Sequence, residues 1–177
     1  MQNSNNNLVD SVEASGANRA GIFFGATSDA LKQENAAVKN GTLSVDSIKS
    51  HGLNNTVQNC HAHHNRVAGI LIQNQVGTRV LSNTCEYNGH EADGGTGYGI
   101  CAFSNSVNVG IKVIGNTTRK TTARALIPTM HTTTKYAITE ARETGSSAVQ
   151  LNLAGSLCET LLLKQCVYSG RNFPTNP

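Results

Sequence analysis

Residues 18–24 read Asn-Arg-Ala-Gly-Ile-Phe-Phe, residues 65–72 read Asn-Arg-Val-Ala-Gly-Ile-Leu-Ile, and a shorter third copy, Tyr98-Gly99-Ile100, follows. An internal repeat constrains architecture more than any local signal, because copies of one unit bury their apolar faces by stacking on each other. The apolar residues that open short β-like segments fall into two interleaved series. One runs Val9, Leu31, Val57, Leu81, Ile114, Ile138, Leu163, with spacings of 22, 26, 24, 33, 24 and 25. The other runs Ile22, Val45, Ile70, Ile100, Leu126, Val149. Each period of about 24 residues thus holds two apolar segments separated by polar turns, and Leu31-Lys32-Gln33 recurs in register as Leu163-Lys164-Gln165.

Short Val-, Ile- and Leu-rich segments bounded by Gly, Asn and Ser read as strands, and each is too short for a stable isolated helix. A lone strand cannot bury its face, so the period predicts an all-β stack, a parallel β-helix of about six or seven rungs. A propeller blade needs ~40 residues, and the dense leucine pattern of leucine-rich repeats is missing. Asn59, Asn83 and Asn116 each stand two residues after an anchor, which predicts an inward asparagine ladder. Gly16, Gly145 and Gly170 each stand seven after one, where a corner calls for positive φ. The stack should span residues 8–170, with a flexible segment at 1–7 and a tail at 171–177.

Thr56-Val57-Gln58-Asn59-Cys60 leading to Gly69-Ile70-Leu71-Ile72, and Val80-Leu81-Ser82-Asn83-Thr84-Cys85 leading to Gly99-Ile100-Cys101-Ala102-Phe103, carry a resemblance. They resemble the repeats of the right-handed parallel β-helices of the pectate-lyase-like superfamily. That superfamily contains polysaccharide lyases, glycoside hydrolases, epimerases and phage tailspikes. With its Asn, Ser and Thr content and weak charge, the chain looks most like a phage tailspike or a related protein of bacterial surface polysaccharides. The resemblance implies a single-stranded right-handed solenoid that binds such a polysaccharide, assembles as a trimer and resides in a virion tail or outside the cell. A non-catalytic spacer or assembly element, and a free-standing lyase or epimerase, are the alternatives.

Composition agrees with a narrow stack. Apolar residues make up 38% and charged ones 14%, both below ordinary globular usage. With a net charge of +3, no Trp and eight Tyr and Phe in all, a nucleic-acid partner is not expected. No apolar run approaches the ~20 residues of a membrane span. No signal peptide is visible in Met-Gln-Asn-Ser-Asn-Asn-Asn. Stack ends are open edges, so capping by partners or by other domains of a longer protein is expected. The five cysteines, Cys60, Cys85, Cys101, Cys158 and Cys166, are odd in number. Cys60 and Cys85 come at near-equivalent positions of adjacent rungs, but free buried thiols are the expectation. Phe23, Phe24, Tyr98 and Phe103 are expected to fill the interior.

The rung that breaks the period holds the enlarged loop Asn88–Gly97, with Glu91 and Asp93 inside it and Glu86 just before. The turn one rung earlier reads His61-Ala62-His63-His64-Asn65-Arg66, and the turn one rung later reads Thr117-Thr118-Arg119-Lys120. Stacking would bring His, carboxylate and Arg/Lys to one face. Glycoside hydrolysis needs two carboxyls, ~5 Å apart for retention or ~6.5–9.5 Å for inversion. Glu86, Glu91 and Asp93 are the candidate catalytic residues. His61, His63, His90, Arg119 and Arg142 are the candidate substrate-binding residues. His61, His63, His64, His90 and Asp93 are of metal-ligating type, but neither a metal site nor a cofactor is expected from the sequence.

Overall fold

The computed structural model describes residues 4–89, 97–102 and 106–119. Strands dominate these residues, and every strand pairing is parallel. The first pass comprises β1 (Leu8–Asp10), β2 (Glu13–Ser15) and β3 (Ala20–Gly25), followed by α1 (Asp29–Lys39) and a 3-10 turn at Val45–Ser47. The second comprises β4 (Gly52–Leu53), β5 (Thr56–Gln58), β6 (His61–His63) and β7 (Ala68–Gln73). The third comprises β8 (Gln75–Val76), β9 (Arg79–Leu81), β10 (Thr84–Glu86) and β11 (Tyr98–Ala102). β12 (Lys112–Ile114) and β13 (Thr117–Arg119) follow. The sheets order as β1-β5-β9-β12, β13-β10-β6-β2, β11-β7-β3 and β4-β8, so each pass visits the sheets in the same sequence.

The Gly-Ile repeat is a set of sheet neighbours, with Ile22, Ile70 and Ile100 in one row. The glycine before each isoleucine has a steric cause. A Cβ at Gly21 would lie 2.6 Å from Asn65 Nδ2, one at Gly69 2.7 Å from the Gly99 carbonyl, and one at Gly99 2.6 Å from Thr118 Cγ2. Only a residue without a side chain lets these neighbours come this close.

Two anchors are corrected. Leu31 lies in α1 and Val45 in the 3-10 turn, not in strands. Ser28 caps α1 by accepting the Leu31 N–H at 3.0 Å, with Asp29 in the first turn and Lys39 in the last. Cap and end charges favour a helix here. The first step between paired rows is therefore 48 residues rather than two steps of 24, and the next two are 23 and 33. The first sheet is also shifted by one residue. Val57 pairs with Val80, and Val80 with Val113, while Leu81 pairs with Gln58 and Ile114. The valines are buried and Leu81 and Ile114 only partly so, as alternation along a strand requires. Leu126, Ile138, Val149 and Leu163 lie outside the described residues.

Within each pass a finer period emerges. Residues of positive φ recur at 6, 11 and 16, at 54, 59 and 64, at 77, 82 and 87, and at 110 and 115, five residues apart. Each block is a three-residue strand, one left-handed residue and one residue that starts the next block. Gly16 takes its corner with φ +69, as expected. Asn59 does not join the ladder; at φ +54 it turns the chain, and Asn tolerates that region. The ladder member is one residue on. The Cys60 N–H donates to Asn83 Oδ1 at 3.0 Å, and Asn83 N and Nδ2 donate to Asn116 Oδ1 at 2.8 and 2.9 Å. A second ladder runs through Ala17 N, Asn65 and Asn88. Asn5, Asn6 and Asn7 also bond to residues 53 and 55, so this backbone pairing begins before residue 8.

The main core collects the inward residues of three sheets: Val57, Val80 and Val113, then Ala62 and Cys85, then Phe24, Ile70, Ile72 and Ile100. Leu71 and Cys101 form a separate cluster with Phe23 and Tyr98, which are only half-buried; Phe103 lies outside the described residues. α1 packs Val38 with Ile48 and Val107 in a third cluster. Cys60, Cys85 and Cys101 are free and buried. Cys60 is level with Asn83 and Cys85 with Ala62, so the two are not stacked equivalents. Burial pushes the Cys101 thiol up to about 12, and raises Cys85 further. No helix among the described residues is long and apolar enough to cross a membrane.

Candidate functional site

The outward face of the sheet β13-β10-β6-β2 gathers most of the candidate residues that the structure describes. Side chains at alternate strand positions share a face, so burying Ala62 and Cys85 turns their neighbours outward. One row holds Glu13, His61, Thr84 and Thr117, and the other holds Ser15, His63, Glu86 and Arg119. His63, Glu86 and Arg119 are thus brought together. All three lie on strands; the sequence reading put His63 and Arg119 in turns and Glu86 just before the enlarged loop. Glu91, Asp93, His90 and Arg142 lie outside the described residues.

The contacts run diagonally across the sheet. Glu13 Oε1 stands 2.9 Å from His63 Nε2, and Glu86 Oε1 stands 2.8 Å from His61 Nε2. The imidazoles of His61 and His63 lie 4.4 Å apart, so the four side chains form one chain of contacts, carboxylate to ring to ring to carboxylate. The His63 hydrogen bond, then its charge, holds the exposed Glu13 carboxyl below its usual range. Two imidazoles between two carboxylates can bind sugar hydroxyls, hold a proton or ligate a metal ion.

At the edge of this face two rings occupy corner positions. His64 and Tyr87 have φ of +52 and +53, where Gly16 stands in the first pass. Left-handed backbone costs a side-chain-bearing residue ~1–2 kcal/mol. The rings lie parallel, 8° apart with centroids 5.0 Å apart, and His63 Nδ1 is 2.8 Å from His64 Nδ1. Bulky residues held in a costly conformation beside a polar cluster are a pointer to function. Sequence reasoning missed Glu13 and Tyr87. The five-residue blocks were the available signal, since they set Tyr87 on the His64 corner.

A separate titratable pair sits under α1. The His51 side chain is fully buried, and its Nδ1 is 3.5 Å from Glu34 Oε2. Burial lowers the His51 pKa, and the Glu34 charge opposes this only in part. Burial would raise Glu34, but the backbone N–H groups of Ser50 and Lys49, with His51, bring it below its usual range.

Compared with family models, with curated proteins and with solved structures, the chain finds no match.

Proposed function

We propose that the chain is a right-handed parallel β-helix, of about six to seven rungs over its whole length, that binds a bacterial surface polysaccharide as part of a phage tailspike or similar surface assembly. The coil reading is supported by the all-parallel pairing and the fixed order in which the chain visits its sheets. The observation that carries the binding reading is the stacked His64–Tyr87 pair, placed at left-handed corners beside the rows of Glu13, His61, His63, Glu86 and Arg119. Aromatic side chains give a sugar's apolar face contact area at low cost in lost rotamers, and a few placed polar groups orient it. Rows repeating every ~4.8 Å along a rigid sheet suit a long, regular ligand.

The test is a panel of bacterial capsule and O-antigen polysaccharides, with binding read by calorimetry and cleavage by reducing ends and absorbance near ~235 nm. Binding of at least one glycan is expected. Tyr87→Gly should weaken it at least ~10-fold while easing ~1 kcal/mol of backbone strain. If a glycan is cleaved, Ala at two of Glu86, Glu91 and Asp93 should cost at least ~100-fold in rate. If the panel gives no binding, the reading fails. The spacer reading then takes over, and the exposed Leu8 and Val12 are what favour it, as apolar surface suited to assembly.

A further inference from the structure

We propose that Glu13, His61 and His63 form a binding site for a divalent transition metal, Zn2+ in the first instance. Glu13 and His61 are paired residues of neighbouring strands, and His63 is two residues further along the same face. The ligand-type atoms of the three lie within 4.8 Å of one another. Two ligands of a metal with bonds of ~2.1 Å stand ~3.0–3.4 Å apart. His63 Nε2 and Glu13 Oε1, at 2.9 Å, already stand close to that separation, and a rotation of the third side chain completes the set. The strands fix the backbone of all three, so little ordering is left for the ion to impose.

The donor set decides the metal. Two imidazoles and one carboxylate suit Zn2+ and its transition-metal neighbours, whereas Ca2+ and Mg2+ take oxygen ligands. Glu86, 2.8 Å from His61 Nε2, is placed to hold that ring by the carboxylate–histidine contact usual around bound zinc. Three protein ligands leave a coordination position for water or another oxygen. Glu13 is 72% exposed at its side chain and His61 41%, so an ion can reach them from solvent. In the ion's absence the same groups form the His–carboxylate pairs described above, and the alternative is that they do only that.

The proposal does not rest on the glycan reading, and its test uses no glycan. The full chain is titrated with Zn2+ in a calorimeter, and with Co2+ while following visible absorption. One saturable ion per chain is expected, with Zn2+ displacing Co2+. Glu13→Gln, His61→Ala and His63→Ala should each weaken binding at least ~10-fold, as should Glu86→Gln through His61. The other histidines remain in every variant, so adventitious imidazole binding is common to all of them. Unchanged circular dichroism without metal confirms that these surface changes leave the fold intact. Absence of a saturable ion in the parent overturns the proposal. So does a Glu13→Gln variant that binds as tightly as the parent, since the histidines alone would then account for the ion.

Discussion

The single side chain that does most for the interior is Asn83. Its oxygen accepts the buried Cys60 N–H, and its amide donates to the Val57 carbonyl and to Asn116 Oδ1. Ala in its place leaves a donor and an acceptor unpaired in a dry core, each at ~1–3 kcal/mol. Asn83→Ala is expected to lower stability by about 2–3 kcal/mol in urea unfolding; a loss below ~0.5 kcal/mol would mean that the ladder adds nothing. Asn59, one residue outside the ladder and exposed, should tolerate Gly with little change. His51 gives a pH dependence of definite sign. Its folded pKa lies below the ordinary imidazole value of 6.5, so the unfolded chain takes up the proton first. Its contribution is complete above pH 6.5 and is lost as pH falls from there toward the folded value. Glu34, with a folded pKa below 4.5, adds a second loss beneath that pH. The melting temperature should therefore fall on acidification from pH 7 to 5. His51→Leu, which has nothing to titrate, should flatten that part of the profile. A parent profile that is flat or rising toward acid would contradict the assignment.

Elements were legible where a residue type had one steric reason to be present. The Gly-Ile repeat is such a case, because Asn65, Asn88, Cys85 and Thr118 fill the space of the missing Cβ atoms. Gly69→Ala would set a Cβ 2.7 Å from the Gly99 carbonyl and 3.0 Å from Cys85 Sγ. A backbone oxygen cannot swing away, so a loss of about 1–3 kcal/mol is expected, read as a lower unfolding midpoint with the urea dependence unchanged. What defeated the period was α1. Its Ser28 cap and Ala-rich turns were visible, but 48 is also twice 24, so the helix passed as a rung. The error reached the site. A rung there would set Glu13 two levels from His61; the helix makes them neighbours, and Glu13 comes within reach of His63. Register misled for a similar reason. Val80-Leu81 and Val113-Ile114 are apolar pairs, and hydrophobicity alone does not say which member faces in. The five-residue block decides it, because the residue two before each left-handed corner is the buried one: Val57, Val80 and Val113. His63, Glu86 and Arg119 survived these errors because they lie after α1, where the count is undisturbed.

At the scale of the molecule the open question is what covers its edges. Among the described residues β1, β2 and β3 each pair on one side only, with β5, β6 and β7. An unpaired strand edge offers a row of N–H and C=O groups to any other chain. This edge carries the two exposed large apolar side chains of the described residues, Leu8 at 59% and Val12 at 41% exposure. Charge that would repel a second copy is sparse: Asp10 lies between them and Glu13 beside them, and no lysine stands on β1 or β2. Under the proposed tailspike reading the chain associates as a trimer, and this apolar edge is the candidate interface. Sedimentation equilibrium at micromolar concentration should then give a mass near three times 18.7 kDa. The double variant Leu8→Lys, Val12→Lys should shift the distribution toward monomer, because it places charge on the surface to be buried. It should leave the strand content unchanged, since both side chains point to solvent. A parent that sediments as a monomer and melts cooperatively would remove the trimer, and an oligomer indifferent to both lysines would move the interface away from β1.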